Sequence, residues 1–385
     1  MRELTINKNE AGQRLDKFLG KYMDQAPKSF FYKMLRKKNI TLNGKKAAGN
    51  EMLTQGDVVK LFLADDTIDK FSSAPEFSKI AAAGHNGLTA RGENVKDQKA
   101  RTISANSAES AASKISADST NSAQTLQQFG KNGKSGKPFR SEIGRSLGIL
   151  YEDEQTLFLN KPVGMLSQKA APQDVSVVEH LIAYLLESGQ ITTEELRTFH
   201  PAVCNRLDRN TSGIIAAGKT LAALQQLSEM FRDRSMKKYY LALVKGTVKG
   251  NQRISGFLKK DSRTNQVQIL KDEIPGASAI ETEYRVMKQA NGVTLLEVHL
   301  ITGKTHQIRA HLASIGHPII GDYKYGNRTI NEQFKKEYHL SSQLLHAWRL
   351  CVPSCEGELN ALSGKEIQAP LPKLFLKICK DRGVI

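Results

Sequence analysis

Apolar positions along the chain fall into two patterned regions separated by a stretch with no pattern. Near the N-terminus, Leu15, Phe18 and Leu19 recur at helical spacing, and Phe31, Met34 and Leu35 do so again after Pro27-Lys28-Ser29. The spacing predicts two short helices, the second over 30–38 with Ser29 as its N-cap. Lys33, Arg36 and Lys37 fall on the other side of that helix. Residues 40–42 and 58–62 alternate as strands, with Asn43-Gly44 as a hairpin-type turn. From about residue 143 the patterning resumes. Residues 147–151, 156–159, 237–244, 266–270, 280–286 and 293–300 read as strands. Residues 177–186 and the stripe Leu221, Leu224, Leu227, Met230 and Phe231 read as helices. The expected class is α+β: a central, mostly antiparallel β-sheet flanked by helices and loops, plus a small αα-β domain.

Between these regions, residues 64–142 are small, polar and aperiodic, as in Ser104-Ala-Asn-Ser-Ala-Glu-Ser-Ala-Ala-Ser113. Such a segment buries too little apolar surface to offset chain entropy. The expected organisation is therefore a domain at 1–63, a flexible low-complexity linker at 64–142, and a larger domain at 143–385.

Charge changes this picture more than composition does. Charged residues at 25% and hydrophobic residues at 39% are ordinary. A net charge of +17 is not, and points to a polyanionic partner, most simply nucleic acid. Residues 1–63 alone hold thirteen Lys/Arg against six Asp/Glu, a surface suited to phosphates, whose attraction is sequence-independent and salt-dependent. The four cysteines form no CxxC pair, which argues against a zinc ribbon or a disulfide scaffold. No apolar run reaches the length of a membrane span and the N-terminus lacks a signal-peptide layout. A cytoplasmic monomer with no membrane association is expected.

The candidate chemistry centres on Asn205-Arg-Leu-Asp-Arg-Asn-Thr-Ser-Gly213, which sets Asp208 between Arg206 and Arg209. A turn-borne carboxylate among cations is expected to stay ionised, ready to serve as nucleophile or base. A second stretch, Thr302-Gly-Lys-Thr-His-Gln-Ile-Arg-Ala-His311, gathers Lys304, His306, Arg309 and His311. Its histidines lie five residues apart, about 140° around a helix, with no acidic residue between them, so no metal site is expected. There is no G-x-S-x-G elbow and no complete GxxxxGK[ST] loop.

The run Lys28-Ser-Phe-Phe-Tyr-Lys-Met-Leu-Arg-Lys-Lys-Asn-Ile-Thr-Leu-Asn-Gly44 resembles the S4 RNA-binding domain, with Lys38 where that module usually has glycine and Asn39 beside it able to take a left-handed conformation. Five ordered stretches resemble the RluA family of pseudouridine synthases. They are Leu150-Tyr-Glu-Asp-Glu154 with Leu159-Asn-Lys-Pro-Val-Gly-Met165; Arg206 to Gly213; Lys238-Tyr-Tyr-Leu-Ala-Leu-Val-Lys-Gly246; Thr302 to Arg309 with Gly316-His-Pro-Ile-Ile-Gly-Asp322; and Leu345-His-Ala347 with Ala369-Pro-Leu-Pro372. Asn205 and Lys304 stand where that family usually has His and Arg.

The resemblance implies isomerisation of uridine in RNA to pseudouridine without cofactor or metal. It implies that Asp208 is the essential aspartate, Tyr240 the tyrosine that stacks on the flipped base, and Arg309 the basic partner of the aspartate. Arg206 is then a candidate for filling the stack, with Lys33, Arg36, Lys37 and Lys304 as RNA contacts. The likeness is strongest to members acting on large-subunit (23S) ribosomal RNA. A tRNA-modifying synthase and a non-catalytic ribosome-assembly factor are the alternatives.

Overall fold

The computed structural model describes residues 1–72, 148–261, 263–264 and 266–385. Most of the expected linker, and Leu147 at the head of an expected strand, lie outside these described residues. No helix among them is long and apolar enough to cross a membrane.

The N-terminal module runs β1 (Arg2–Thr5), α1 (Leu15–Tyr22), α2 (Lys28–Arg36), β2 (Ile40–Leu42), β3 (Lys45–Lys46), β4 (Val58–Leu61) and α3 (Asp65–Lys70). Its strands form one sheet in the order β1-β4-β2-β3. Leu15, Phe18 and Leu19 of α1 and Phe31 and Leu35 of α2 close one core with Ile40, Val59 and Leu61. Helix α2 starts two residues earlier than its spacing suggests. Pro27, at φ −67°, is the half-in residue, and Ser29 sits in the first turn instead of capping it. The left-handed turn after α2 falls on Lys38 (φ 62°), not Asn39. Asn39 N–H donates to Met34 O and Lys38 N–H to Leu35 O, and this pair of bonds puts the positive φ on the residue between the helix end and Asn39. The module also outlasts its expected boundary at 63. Ile68 of α3 is fully buried in the core, and the Phe71 ring lies 4.8 Å from that of Phe30. Two apolar anchors one turn apart suffice to hold a six-residue helix that composition alone assigns to a linker.

The larger region begins with β5 (Ile149–Glu152), β6 (Thr156–Lys161), α4 (Val177–Glu187), β7 (Ala202–Val203), β8 (Ser212–Gly218), α5 (Leu221–Arg232) and β9 (Lys237–Lys245). It continues with β10 (Gln252–Asp261), β11 (Gln266–Leu270), β12 (Ser278–Ala290), β13 (Val293–Leu300), α6 (Gln307–Ser314) and α7 (Arg328–Tyr338). It closes with β14 (Leu345–Cys351), β15 (Glu366–Gln368) and α8 (Lys373–Asp381). One sheet takes the order β11-β10-β12-β13-β9-β14-β8-β6-β5, with β15 on β14 and β7 on β8. Its pairings are antiparallel except β14 with β8, as the expected class requires.

The central strands are apolar on both faces because both faces are covered. Leu157, Leu159, Ile215, Ala217, Ala242 and Val244 pack under α4 and α6. Their sequence neighbours Phe158, Ile214 and Ala216 pack under α5, and Leu241 and Leu243 under α7 and α8. This is the two-residue period of a strand read on both sides at once. Three residues of adjacent strands then form one row: Gly213 pairs with Ala347, and Ala347 with Tyr240. Gly213 has φ 112°, and a Cβ there would run into the Ala347 carbonyl, so β14 approaches β8 closely enough only because that position is glycine. The row joins the end of the Asp208 loop to the strand that carries Tyr240.

Candidate active site

The Asp208 loop is held by its backbone. Ser167 Oγ accepts from Leu207 N–H and donates to Leu207 O, both at 2.9 Å. Lys161, fully buried, donates from Nζ to the carbonyls of Pro162 (3.1 Å), Met165 (2.8 Å) and Arg209 (2.9 Å). Gly164 N–H donates to Arg209 O as well. The residues on either side of Asp208 are thus clamped by the turn after β6, and its carboxylate is left to project. Burial pushes the Lys161 ammonium down to about 7, with the Asp208 charge acting against that fall; three carbonyls accepting three protons favour the charged form further. At the far end, Ser212 Oγ meets His346 Nδ1 at 2.9 Å, and Gln343 Nε2 donates to Thr211 Oγ1 at 3.3 Å.

Arg309 comes from the opposite wall, on α6. Residues 307–312 of that short helix are all buried. A polar network sets its rotation: Gln307 Nε2 donates to Glu281 O and Thr282 Oγ1 at 3.0 Å, Thr302 Oγ1 donates to Gln307 Oε1 at 2.9 Å, and His311 Nδ1 lies 3.0 Å from Thr282 Oγ1. The Arg309 side chain is then fixed in two places. Nε and Nη2 fork onto Asp322 at 2.7 and 2.9 Å, and Nη1 donates to Asp208 Oδ2 at 2.9 Å. Burial opposes the guanidinium charge, but the bonds and charge of Asp322, and then of Asp208, raise the Arg309 pKa above its ordinary value. Asp322 is 1% exposed and also accepts from the N–H groups of Lys324 and Tyr325. Burial would raise its pKa, but these bonds and the Arg309 charge hold it below the ordinary carboxylate range.

His306 Nε2 lies 3.8 Å from Asp208 Oδ2, and its Nδ1 lies 2.9 Å from Tyr325 OH. Because Tyr325 OH accepts from Val267 N–H, its own proton is available to His306 Nδ1. With Tyr325 as the donor, the imidazole proton sits on Nε2, on the Asp208 side. Burial lowers the His306 pKa, so the ring is neutral near pH 7. Tyr240 is buried, and burial followed by the nearby Asp208 charge raises its phenol pKa and keeps it protonated. The site is therefore a carboxylate, one quarter exposed at its side chain, with a guanidinium at 2.9 Å and a protonated phenol in its field.

Asp208, Tyr240 and Arg309 are thus brought together. Arg206 is exposed on the same loop, and Lys304 is exposed one residue before Thr305 and His306 on the way into α6. Lys33 and Arg36 lie on the exposed face of α2 in the N-terminal module, and Lys37, at its C-terminal cap, is exposed beside them. Asn205 has turned to structural work: its Oδ1 accepts from Ala216 N–H and its Nδ2 donates to Ile214 O, stapling the loop to β8. Sequence reasoning did not single out Lys161, Ser167 or Asp322. The usable signal for Asp322 was a lone acid in a Gly-Asp-Tyr-Lys-Tyr-Gly turn shortly after Arg309.

His346 gives this loop a measurable pH dependence. It is fully buried, its Nε2 lies 3.2 Å from Ala369 O, and burial pushes its pKa from 6.5 down to about 4. The unfolded chain therefore takes up this proton at higher pH than the folded one. The stability concerned is present above pH 6.5 and lost as pH falls toward 4, reaching about 2 kcal/mol by pH 5. Urea unfolding at pH 7 and pH 5 is expected to show that much more acid sensitivity in the intact chain than in His346→Gln.

Comparison with known proteins agrees with this geometry. The RNA pseudouridylate synthase family profile matches residues 155–314. The Vibrio vulnificus protein named ribosomal large subunit pseudouridine synthase C is 27% identical over 375 residues, covering 96% of this chain and 95% of that one. The Borreliella burgdorferi protein named ribosomal large subunit pseudouridine synthase D is 31% identical over 232 residues, covering 60% of this chain and 67% of that one. The solved structure of human RNA pseudouridylate synthase domain containing 4 shares the fold at a TM-score of 0.50, with 22% identity, over 61% of this chain and 94% of that one. A carboxylate on a clamped loop, met by an arginine from a neighbouring helix, stands inside the matched segment, and the chain belongs to the RNA pseudouridylate synthase family.

Proposed function

We propose that this enzyme isomerises uridines of large-subunit ribosomal RNA, as a cytoplasmic monomer, with Asp208 as the reacting carboxylate. The observation that carries the site assignment is the 2.9 Å bond from Arg309 to Asp208, with the rest of the guanidinium locked on Asp322. The fork on Asp322 leaves Nη1 of Arg309 directed at Asp208, so the carboxylate is held in one orientation. Isomerisation breaks the N1–C1′ bond, turns the base and joins C5 to C1′; the C5 hydrogen leaves and N1 gains one. An ionised carboxylate serves by attacking C1′ or by taking the C2′ proton on a glycal route. Tyr240 offers a ring face to the extruded base, and Arg206 fills the vacated stack. Extrusion costs a few kcal/mol, which contacts elsewhere on the RNA must offset. The preference for ribosomal RNA is supported by the names of the relatives that span nearly the whole chain.

The N-terminal module acts as the S4-like RNA-binding domain in this reading, with Lys33, Arg36 and Lys37 on phosphates and Lys304 contacting RNA beside the site. The Lys33→Gln/Arg36→Gln/Lys37→Gln variant is expected to lower the slope of log affinity against log salt by about 2 to 3. An unchanged slope in filter binding would remove that role. For the substrate, RNA labelled with tritium at uridine C5 releases one tritium per uridine isomerised. With protein-free 23S RNA and bulk tRNA offered separately, release is expected from the former; release from tRNA alone would make this a tRNA synthase.

A further inference from the structure

A cleft of about 550 Å³ opens on the N-terminal module, well within the size of a small-molecule site. One wall is Tyr32, Leu35 and Arg36 of α2, and the other is Lys46, Ala48 and Glu51. Tyr32 is 40% exposed. Its hydroxyl donates to Asp16 Oδ2 at 2.9 Å, and Asp16 is itself gripped by Arg14 through two bonds of 2.9 and 3.1 Å. The ring edge lies against Gly49, where φ is 100° and a Cβ would come within 3.2 Å of Tyr32 Cε1. The aromatic face is therefore held in place before any ligand arrives, and little rotamer freedom is left to lose on binding.

The charges around it are arranged for an anion. Arg36 lies one helical turn from Tyr32 on the same face, and Lys46 stands on the opposite wall. Both are exposed, and neither makes an ion pair with another described residue. The acid in the lining, Glu51, is already committed: its carboxylate accepts from Ala48 N–H at 2.6 Å and Gly49 N–H at 2.7 Å. Those bonds hold its pKa below the ordinary value against the opposing effect of burial. A fixed aromatic face between two free cations suits one unpaired base with phosphates on either side. A duplex cannot use it, because its bases are already stacked.

We propose that this cleft is a stacking site for a single unpaired nucleotide of the RNA substrate, with Tyr32 as the platform and Arg36 and Lys46 on the flanking phosphates. It rests on the reading of the module as RNA-binding and adds to it a selectivity for single-stranded over double-stranded segments.

The test uses the full chain and two fluorescently labelled RNAs at one salt concentration, a ten-nucleotide single strand and a blunt duplex. Tyr32→Ala is expected to weaken single-strand binding by about 5- to 150-fold, the range measured for loss of one stacked base, and to leave duplex binding within about twofold. Tyr32→Phe keeps the ring and its contact with Gly49, loses the bond to Asp16, and is expected to lose far less affinity than the alanine variant does. Equal losses on both RNAs, no loss with Tyr32→Ala, or a loss with Tyr32→Phe as large as with alanine would each overturn the stacking site. A labelled acidic peptide that binds as tightly as the single strand and loses affinity in Tyr32→Ala would overturn it in favour of a protein partner. If Tyr32→Ala has no effect while the Lys33, Arg36 and Lys37 variant still loses its salt slope, the stacking site alone fails. If neither changes RNA binding, the RNA-binding reading of the module fails with it.

Discussion

Asp208→Asn is expected to reduce uridine isomerisation by more than about a thousandfold while changing RNA affinity by no more than about threefold. The substitution keeps shape and removes charge. The loop does not depend on the carboxylate for its form: Lys161 and Gly164 hold Arg209 O, and Ser167 holds Leu207 through its backbone. Arg309 also stays in place, because its fork on Asp322 is untouched. What disappears is the charge that the proposed role of Asp208 at the sugar requires, on either of the two routes. Single-turnover tritium release, with filter binding on the same RNA, separates the two effects. A turnover within about tenfold of the intact enzyme would place the chemistry elsewhere.

Asp322→Ala is expected to be the most damaging change to the fold at this site. It would leave the buried Arg309 without its bidentate partner and the N–H groups of Lys324 and Tyr325 without their acceptor. Breaking a buried pair by removing one member costs about 3–5 kcal/mol when the other charge is left uncompensated; Arg309 keeps its bond to Asp208, so the cost is expected at the lower end, about 3 kcal/mol. Removing both charges with an apolar pair is different in kind. Arg309→Met/Asp322→Leu is therefore expected to recover most of the stability in urea unfolding, and none of the activity, since Asp208 would then lack its partner. Recovery of activity in the double variant would show that Arg309 is dispensable for catalysis.

The candidate groups were legible in the sequence because they sit in local motifs. Asp208 in its Arg-Leu-Asp-Arg turn and Arg309 in the run after β13 were readable as types and spacings. The strands around them were readable from their period. What was hidden was long-range. Lys161 and Asp208 are brought together by the pairing of β6 with β8, and no local pattern states that a lysine will end in a cage of carbonyls. Asn205 read only as a departure from the resembled family's usual His, yet both ends of its amide are bonded to the backbone of β8. Lys38 carries the left-handed turn because the helix-ending bonds choose a position by count from the last turn, not by residue type. The boundary near residue 63 failed for a related reason: a short helix with two anchors has too little pattern to stand out from a polar stretch.

The measurement that bears most directly on the central assignment is nucleotide-resolution mapping of pseudouridine by carbodiimide labelling and primer extension. Protein-free 23S RNA and bulk tRNA would each be treated with the intact enzyme and, in parallel, with Asp208→Asn. The expected result is new stops at discrete uridines with the intact enzyme and none with the variant. The same stops from both proteins would contradict the role of Asp208, and stops confined to tRNA, or absent altogether despite tight RNA binding, would contradict the assignment to large-subunit ribosomal RNA.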